Sequence, residues 1–388
     1  MSASDEEHDD QDVFLDESDV LEEINIDEED LPDAGDEDEA EEIDDSVHLF
    51  TGHTGELYAL ASSPTQPLLV ATGGGDDKTF LWKIGHGDWA EELPERHDSV
   101  SSLAFSSDGK LLASGGLDGI IQIWDVSSDD LLGSLKYTLE GPRSGIEWVR
   151  WHPRGHVVLA GFEDSTVWMW NADKNAYLNT FSGHGSSVTC GDFTPDGKTI
   201  CTGSDDASLR IWDRIWDRKE GTNKEVKGHY YHREGLTCMA ITNDSARAIT
   251  GSKDGSVHMV NITTGKVISS LTGHTNSVEC VGLCQCFPWA ATGSMDKKLL
   301  IWDLNYSSIH STCQHEEGVT CLAWIGSSIH VATGSGDGIV RIWDSRSGEC
   351  VKEFRGHSDV IQSIAVSADG EHIVSVSIDG TARVFELR

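Results

Sequence analysis

One residue pattern recurs eight times along this chain, and its spacing constrains the fold more than any other feature. In each copy, two apolar segments are followed by an Asp, and six residues after the Asp comes a Trp or a residue that replaces it. This Trp position recurs after steps of 41 to 48 residues. The eight pairs are Asp76/Trp82, Asp118/Trp124, Asp164/Trp170, Asp206/Trp212, Asp254/Val260, Asp296/Trp302, Asp337/Trp343 and Asp379/Phe385. Such a period indicates supersecondary units that bury their apolar faces only by stacking on one another.

Each unit has the pattern of a small β-sheet. Apolar and polar residues alternate in segments such as Ile121-Gln122-Ile123-Trp124, as expected of half-buried strands. Most units have a Gly-His pair near the start and a Trp-Asp near the end. With the period of the repeat, these marks resemble the WD-repeat family over residues 47–388. The resemblance implies an all-β fold, an eight-bladed WD40 β-propeller whose blades are four-stranded antiparallel sheets.

In that family, a His, a Ser/Thr, an Asp and a Trp of one blade form a hydrogen-bonded network, which pairs buried polar groups. The resemblance assigns this structural network to blades one, two, four, six and seven, while blades three, five and eight depart from the pattern. The assigned residues are His53, Thr72, Asp76 and Trp82; His97, Ser114, Asp118 and Trp124; His184, Thr202, Asp206 and Trp212; His274, Thr292, Asp296 and Trp302; and His315, Thr333, Asp337 and Trp343.

Ser/Thr, His and Asp are also the residue types of a catalytic triad. A triad occurs once in a chain, beside an oxyanion site, whereas this set recurs at fixed structural offsets. The sequence has no phosphate-binding loop and no HExxH motif, and Cys280, Cys284 and Cys286 lack the spacing of a metal site. We therefore expect a protein that is not an enzyme, with no catalytic residue, metal or cofactor.

The two ends of the repeat region predict how the ring closes. The last repeat stops at its third strand, Thr381 to Leu387, and a short apolar strand, residues 47–50, precedes the first repeat. This strand is expected to complete the eighth blade and remove an open edge. Residues 1–46 contain 24 Asp and Glu and no Lys or Arg, which predicts a disordered acidic tail. The tail is either solubilising or an arm that folds onto a basic partner.

Two features of the repeats have more than one interpretation. Trp148 and Trp168 of blade three do not align with the usual core positions, and they either fill seams between blades or anchor a partner. A tandem Ile-Trp-Asp-Arg, residues 211–218, adds Trp216 to what we expect to be a surface loop.

The charge of the chain limits its partners. A formal net charge of −39 argues against direct nucleic-acid binding and against anionic membranes, since both need clustered cations. An apolar run of about 18 residues, which a membrane span would need, is absent, as is a secretory signal. Nine Cys without framework spacing indicate reduced thiols, which fits a cytoplasmic or nuclear protein.

A ring of carboxylates is the candidate binding surface. The loop that leads into each blade and the residue just before each structural Asp are expected on one face, where Lys253 is an exception to the acidic character. This face would attract a basic protein segment. The candidate residues are Glu56, Asp98, Glu147, Glu163, Asp205, Glu234, Glu316, Glu317 and Asp359, with Trp148 as a candidate anchor.

Blade three narrows the resemblance further. It reads Glu147-Trp148-Val149-Arg150-Trp151-His152-Pro153, then Leu159-Ala160-Gly161 and Trp168-Met169-Trp170, which resembles the angio-associated migratory cell protein family. That family is similar to a fungal WD-repeat chaperone of a large-subunit ribosomal protein. The resemblance implies a monomeric escort that holds a basic ribosomal protein during ribosome assembly. The alternative is a WD-repeat scaffold in signalling or cell migration.

Overall fold

The structure, a computed structural model, describes residues 43–87, 90–93, 98–127, 133–213 and 225–388, with the backbone alone for 225–230. Its strands form eight four-stranded antiparallel sheets that follow one another along the chain. The first strands of successive blades pack side by side around the ring, and β2 of blade one lies beside β30 of blade eight. The eight-bladed propeller predicted from the repeats is confirmed.

The first four blades begin after β1, which spans His48–Phe50. Their strands are β2 (Leu57–Ser62), β3 (Leu69–Gly74), β4 (Thr79–Lys83) and β5 (Ala90–Leu93); β6 (Val100–Phe105), β7 (Leu111–Gly116), β8 (Ile120–Asp125) and β9 (Ser134–Glu140); β10 (Ile146–Trp151), β11 (Val157–Phe162), β12 (Thr166–Asn171) and β13 (Ala176–Ser182); and β14 (Cys190–Phe193), β15 (Ile200–Gly203), β16 (Ser208–Trp212) and β17 (Glu225–Tyr230).

The last four blades complete the ring. Their strands are β18 (Leu236–Ile241), β19 (Arg247–Ser252), β20 (Val257–Asn261) and β21 (Lys266–Leu271); β22 (Val278–Leu283), β23 (Trp289–Ser294), β24 (Lys298–Asp303) and β25 (Ser308–Gln314); β26 (Val319–Trp324), β27 (His330–Ser335), β28 (Val340–Asp344) and β29 (Cys350–Phe354); and β30 (Ile361–Val366), β31 (His372–Ser377) and β32 (Ala382–Glu386), with β1 as the fourth strand of blade eight.

The ring closes where β1 pairs antiparallel with β32, with Phe50 opposite Ala382 and His48 opposite Val384. The chain contacts blade eight before this strand begins. The Asp44 carboxylate pairs with Arg383, and Asp45 exchanges two hydrogen bonds with the backbone of Arg355, at 2.9 and 2.8 Å. Residues 43–46, which we had assigned to the tail, therefore include contacts with the propeller. Residues 1–42 of the predicted tail lie outside the described residues.

The apolar core lies between blades rather than within them. Eight clusters of buried side chains are present, one at each interface between neighbouring blades. At the closing interface, Phe50 is 1% exposed and stacks on Trp82 with ring centroids 5.1 Å apart. Its cluster also contains Val374 and Val384 of blade eight. Phe50 thus joins blade eight to blade one.

The hydrogen-bonded network ties each blade together internally. In blade one, Trp82 Nε1–H donates to Thr72 Oγ1 at 3.2 Å, and His53 lies between Thr72 and Asp76, at 3.0 Å from each. Burial lowers the pKa of His53, although the Asp76 carboxylate opposes this effect. A neutral ring that donates from Nδ1 to Asp76 and accepts the Thr72 hydroxyl satisfies every group. Blades four and six contain the same chain of contacts. In blade two, Trp124 donates to Ser114 at 3.2 Å, while His97 lies outside the described residues.

Blades five and eight retain more of the network than we expected. His232 contacts Thr250 at 2.9 Å, and His357 contacts both Ser375 and Asp379 at 2.8 Å. In these blades only the Trp is replaced. The His precedes the Ser/Thr by 18 residues in both blades, as in blades four, six and seven. That offset is the sequence signal that these histidines belong to the hydrogen-bonded network.

Blade seven departs from the assignment in the opposite direction. His315 contacts Thr333 at 2.9 Å, but its Nδ1 atom has no hydrogen-bond partner. The Asp337 carboxylate instead pairs with the buried Arg341 guanidinium at 2.8 Å. The predicted contact between His315 and Asp337 was therefore wrong, because a stronger charged partner on the next strand occupies the carboxylate.

Blade three replaces the polar network with an apolar cluster. Ala160 stands at the Ser/Thr position, and Phe162 is fully buried at a position where the other blades have Gly or Ser. Phe162 packs edge-on against Trp170, with centroids 6.3 Å apart. The absence of the His therefore leaves no unpaired polar group at this site.

Truncating the closing contact should destabilise the ring. We expect Phe50→Ala to lower the free energy of unfolding in urea by about 3–5 kcal/mol, the usual cost of a large cavity in a core. Val47→Ala is the control, since Val47 is 56% exposed and should change stability little. Equal midpoints for the two variants would contradict closure through Phe50.

The buried histidines should make stability depend on pH. Burial lowers the pKa of His184, His232 and His315 to about 4, whereas the unfolded chain takes up these protons near pH 6.5. Their contribution is complete above pH 6.5 and is lost as the pH falls towards 4. Urea unfolding at pH 7 and pH 5 should show a loss of up to about 1.4 kcal/mol per pH unit for each histidine. His86→Gln is the control, because His86 is exposed and the variant should show the same change of unfolding free energy with pH as the unaltered protein. An unfolding free energy that does not change with pH would argue against neutral network histidines.

Candidate partner-binding face

The loops predicted to share one face are tied together by a repeated backbone hydrogen bond. In every blade, the residue before the structural Asp lies in the turn between the second and third strands, which we call the central turn. Its N–H donates to a carbonyl of the loop that leads into the blade, which we call the interblade loop. The pairs are Gly75 to Glu56, Leu117 to Ser99, Glu163 to Gly145, Asp205 to Ser187, Lys253 to Gly235, Met295 to Ser277, Gly336 to Gly318 and Ile378 to Val360, all at 2.8–3.1 Å. Both loops of all eight blades therefore lie at one end of the ring, which we call the loop face.

The structural Asp makes this arrangement rigid. Asp76 accepts the backbone N–H groups of Thr54 in the interblade loop and of Lys78 in the central turn, at 3.0 and 3.3 Å. Asp254 makes the corresponding contacts in blade five, and its hydrogen bonds overcome the effect of burial and lower its pKa to about 2. The carboxylate therefore stays ionised and keeps both loops in place.

The predicted carboxylates lie in or next to these loops. Asp205 is half-buried, and the other members are exposed: Glu56, Asp98, Glu147, Glu163, Glu234, Glu316, Glu317 and Asp359. Trp148 does not belong to this surface. It is 4% exposed, and its indole N–H donates to the Val188 carbonyl of blade four at 2.8 Å. Of the two interpretations of Trp148, packing between blades is the correct one.

Trp168 also packs within the protein rather than standing free. It is half-buried, it stacks on Trp170 with centroids 5.9 Å apart, and it donates to Thr166 at 3.0 Å. Tyr177 packs against its edge. Trp216 lies outside the described residues.

Sequence reasoning missed several charged residues of the loop face. Asp77 and Lys297 follow the structural Asp in their central turns, Arg143 and Arg233 lie in the middle of interblade loops, and Glu279 is the second residue of β22. Each occupies an offset equivalent to one that the repeats define. Comparing all eight blades position by position would have found them.

With these residues included, the charge of the loop face is uneven. Apart from the structural Asp residues, the described loops of blades seven, eight, one, two and three, which we call the acidic sector, carry eight acids and two bases: Glu316, Glu317, Asp359, Glu56, Asp77, Asp98, Glu147, Glu163, Arg143 and Lys78, the last paired with Glu92 at 2.9 Å. Blades four, five and six, the balanced sector, carry three acids and three bases: Asp205, Glu234, Glu279, Arg233, Lys253 and Lys297.

Ion pairs increase the contrast between the sectors. Lys253 pairs with Asp205 at 2.6 Å, and Lys297 pairs with Glu317 at 2.9 Å across the sector boundary. Within the described part of the chain, the other seven carboxylates of the acidic sector have no cationic partner within 4 Å. The acidic sector therefore presents mostly unpaired carboxylates.

A few apolar side chains stand among these charges. Tyr58, Leu117 and Met295 are 38%, 43% and 44% exposed, and the latter two occupy central turns. The phenol of Tyr58 donates to Glu56 at 2.6 Å, and this bond raises the pKa of Tyr58. The loop face can therefore contact both cationic and apolar groups.

Over the described ranges, no three His, Cys, Asp or Glu side chains are grouped as a metal site would require. Those ranges also contain no helix with the length and apolarity needed to span a membrane.

The sequence and fold match known proteins over most of their length. The family of the WD domain, G-beta repeat, matches eight segments: residues 44–83, 92–125, 133–171, 175–213, 222–261, 265–303, 306–344 and 348–386. The human angio-associated migratory cell protein is 36% identical over 358 residues, which cover 88% of this chain and 80% of that protein.

Solved structures with the same fold include a fungal protein, Sqt1 of Chaetomium thermophilum. It is 23% identical with a TM-score of 0.82, covering 89% of this chain and 98% of its own. A second Sqt1 structure, bound to the N-terminus of the ribosomal protein L10, has a TM-score of 0.80 at the same identity, covering 89% of this chain and all of that one. With the eight blades and the family matches together, the chain belongs to the WD-repeat family and, within it, to the angio-associated migratory cell proteins.

Proposed function

We propose that this protein is a non-enzymatic chaperone that holds the basic N-terminal segment of a large-subunit ribosomal protein on its loop face until ribosome assembly. The observation that carries the proposal is the acidic sector, in which eight carboxylates outnumber two bases, Arg143 and Lys78. The relation to Sqt1, which has been solved with the N-terminus of L10, supports this kind of partner. The proposed location is the cytoplasm or the nucleus, and the proposed state is a monomer that binds no nucleic acid directly.

Capture of the basic segment would depend on the combined electrostatic attraction of many carboxylates rather than on any single contact. An exposed ion pair contributes up to about 1 kcal/mol, so one carboxylate would hold little. A continuous row of unpaired carboxylates raises the local concentration of a cationic segment and speeds its encounter. Because the structural Asp residues fix the loops, little ordering of the face is needed when the segment binds.

A scaffold in signalling or cell migration is the second candidate function. The exposed Tyr58, Leu117 and Met295 favour it, because apolar side chains on a charged face can anchor a partner without strong salt dependence. Salt dependence therefore separates the two functions.

Binding of a basic segment should weaken steeply with salt. We expect a synthetic peptide of the L10 N-terminus to bind the full chain, with affinity falling at least about tenfold between about 50 and about 300 mM NaCl. Titration calorimetry at four salt concentrations measures this slope. Absence of binding, or an affinity that salt does not change, would favour the scaffold.

Single carboxylates of the acidic sector should each contribute a little. Glu163→Gln and Glu316→Gln are each expected to weaken peptide binding about two- to fivefold, since each removes one exposed charge pair. Glu349→Gln is the matched control, because Glu349 is exposed in the turn between β28 and β29, at the opposite end of blade seven. A loss of the same size in the control would show that overall charge, and not the loop face, governs binding.

A further inference from the structure

The loop face contains a groove at the joint where the ring closes. It lies between the interblade loop that leads from β1 into blade one and the central turn of blade eight, and its volume is about 380 Å³. Its lining includes Glu56, Thr54 and Thr381, and none of the lining residues is Lys or Arg. We call it the seam groove. The two loops are in close contact, because a Cβ at Gly380 would come within 3.2 Å of the Gly55 carbonyl.

One carboxylate of the seam groove is free to meet a ligand. Asp379 is occupied by the network: hydrogen bonds from His357 and Thr381 outweigh burial and hold its pKa well below the ordinary value. Glu56 is exposed, and among the described residues its carboxylate accepts a hydrogen bond from the Tyr58 hydroxyl alone, at 2.6 Å. Tyr58 does not line the groove, and its hydroxyl holds one oxygen of the carboxylate while the other oxygen remains available. Such an oxygen at the edge of a groove attracts a guanidinium or an ammonium group.

A second groove on the same face provides a comparison. It lies between blades five and six, has a volume of about 580 Å³, and is lined by Arg233 and Lys253 as well as by Glu234. It is built from the central turn of blade five and from the interblade loops that lead into blades five and six. Its two cations oppose the binding of a further cation, whereas the lining of the seam groove has none.

We propose that the seam groove holds an Arg or Lys side chain of the bound segment, so that the segment bridges blades eight and one. This rests on the proposed function, since it names the place on the loop face where a basic segment is anchored. The seam is the one joint of the ring that depends on pairing between the two ends of the propeller, β1 and β32. A ligand that contacts both sides binds only the closed ring, and by linkage it stabilises that pairing.

Two peptides separate this inference from the proposed function. One is the L10 N-terminal peptide, and the other is a ten-residue peptide of alternating Arg and Gly, which tests the groove without reference to ribosomal proteins. With either peptide, Glu56→Gln in the full chain should lower affinity about five- to tenfold. Glu234→Gln, the matched change in the comparison groove, should lower it less than twofold. Tyr58→Phe removes the hydroxyl that holds the Glu56 carboxylate and should lower affinity less than Glu56→Gln does.

Hydrogen exchange tests the effect on closure. Amides of residues 48–50 and 382–384 should exchange at least about threefold more slowly when the Arg-Gly peptide is bound, and Glu56→Gln should remove that protection. Equal effects of Glu56→Gln and Glu234→Gln on the Arg-Gly peptide, absence of binding of that peptide, or unchanged exchange at β1 would each overturn the inference. Failure of the L10 peptide alone, with Glu56-dependent binding of the Arg-Gly peptide, would overturn the ribosomal partner and leave the seam groove standing.

Discussion

The backbone hydrogen bond between the two loops of each blade determines where everything else on the loop face lies. In blades one, four, five, six and eight a half-buried Asp reinforces it by accepting N–H groups from both loops. Charge-assisted bonds of this kind are stronger than neutral ones, and their backbone donors cannot reach another acceptor without loss of the turn. Every blade therefore presents its interblade loop and its central turn side by side. The side chains between them vary freely, because none of them is needed to hold the loops.

Blades three and seven show what this arrangement requires and what it does not. In blade three the His and the Ser/Thr are absent, and Phe162 fills the space with apolar contact. In blade seven Arg341 takes the carboxylate of Asp337 from the histidine. In both blades the backbone bond between the two loops persists, from Glu163 to Gly145 and from Gly336 to Gly318. The polar network is thus one of several ways to fill the inside of a blade, while the pairing of the loops is common to all eight.

The same distinction explains which features the sequence predicts. The blades, the closing strand and the shared face can be predicted from the sequence because the same offsets occur in all eight repeats. A contact that is specific to one blade has no such repeated signal. The sequence at Trp148 is compatible with a buried or an exposed ring, and the hydrogen bond to the Val188 carbonyl in the next blade decides between them. The pairing of Lys253 with Asp205 likewise joins residues 48 positions apart, so the division of the face into sectors required the structure.

The distribution of charge on the loop face is costly unless it serves binding. Like charges along one rim of the ring repel one another. Each carboxylate without a cationic partner is solvated by water and not by a protein cation. The chain has the means to avoid this, since the balanced sector carries Arg233, Lys253 and Lys297 in the same loops, and Lys253 pairs with Asp205. In the acidic sector, Glu317 pairs with Lys297 across the boundary, and the other seven carboxylates have no cationic partner among the described residues, while the same loop geometry would accept a Lys. A cationic segment that lies along the sector relieves this repulsion. The relief of repulsion therefore contributes to the free energy of binding. Because that sector includes the joint between blades eight and one, a basic partner that lies along it would also stabilise the pairing of β1 with β32 that closes the ring.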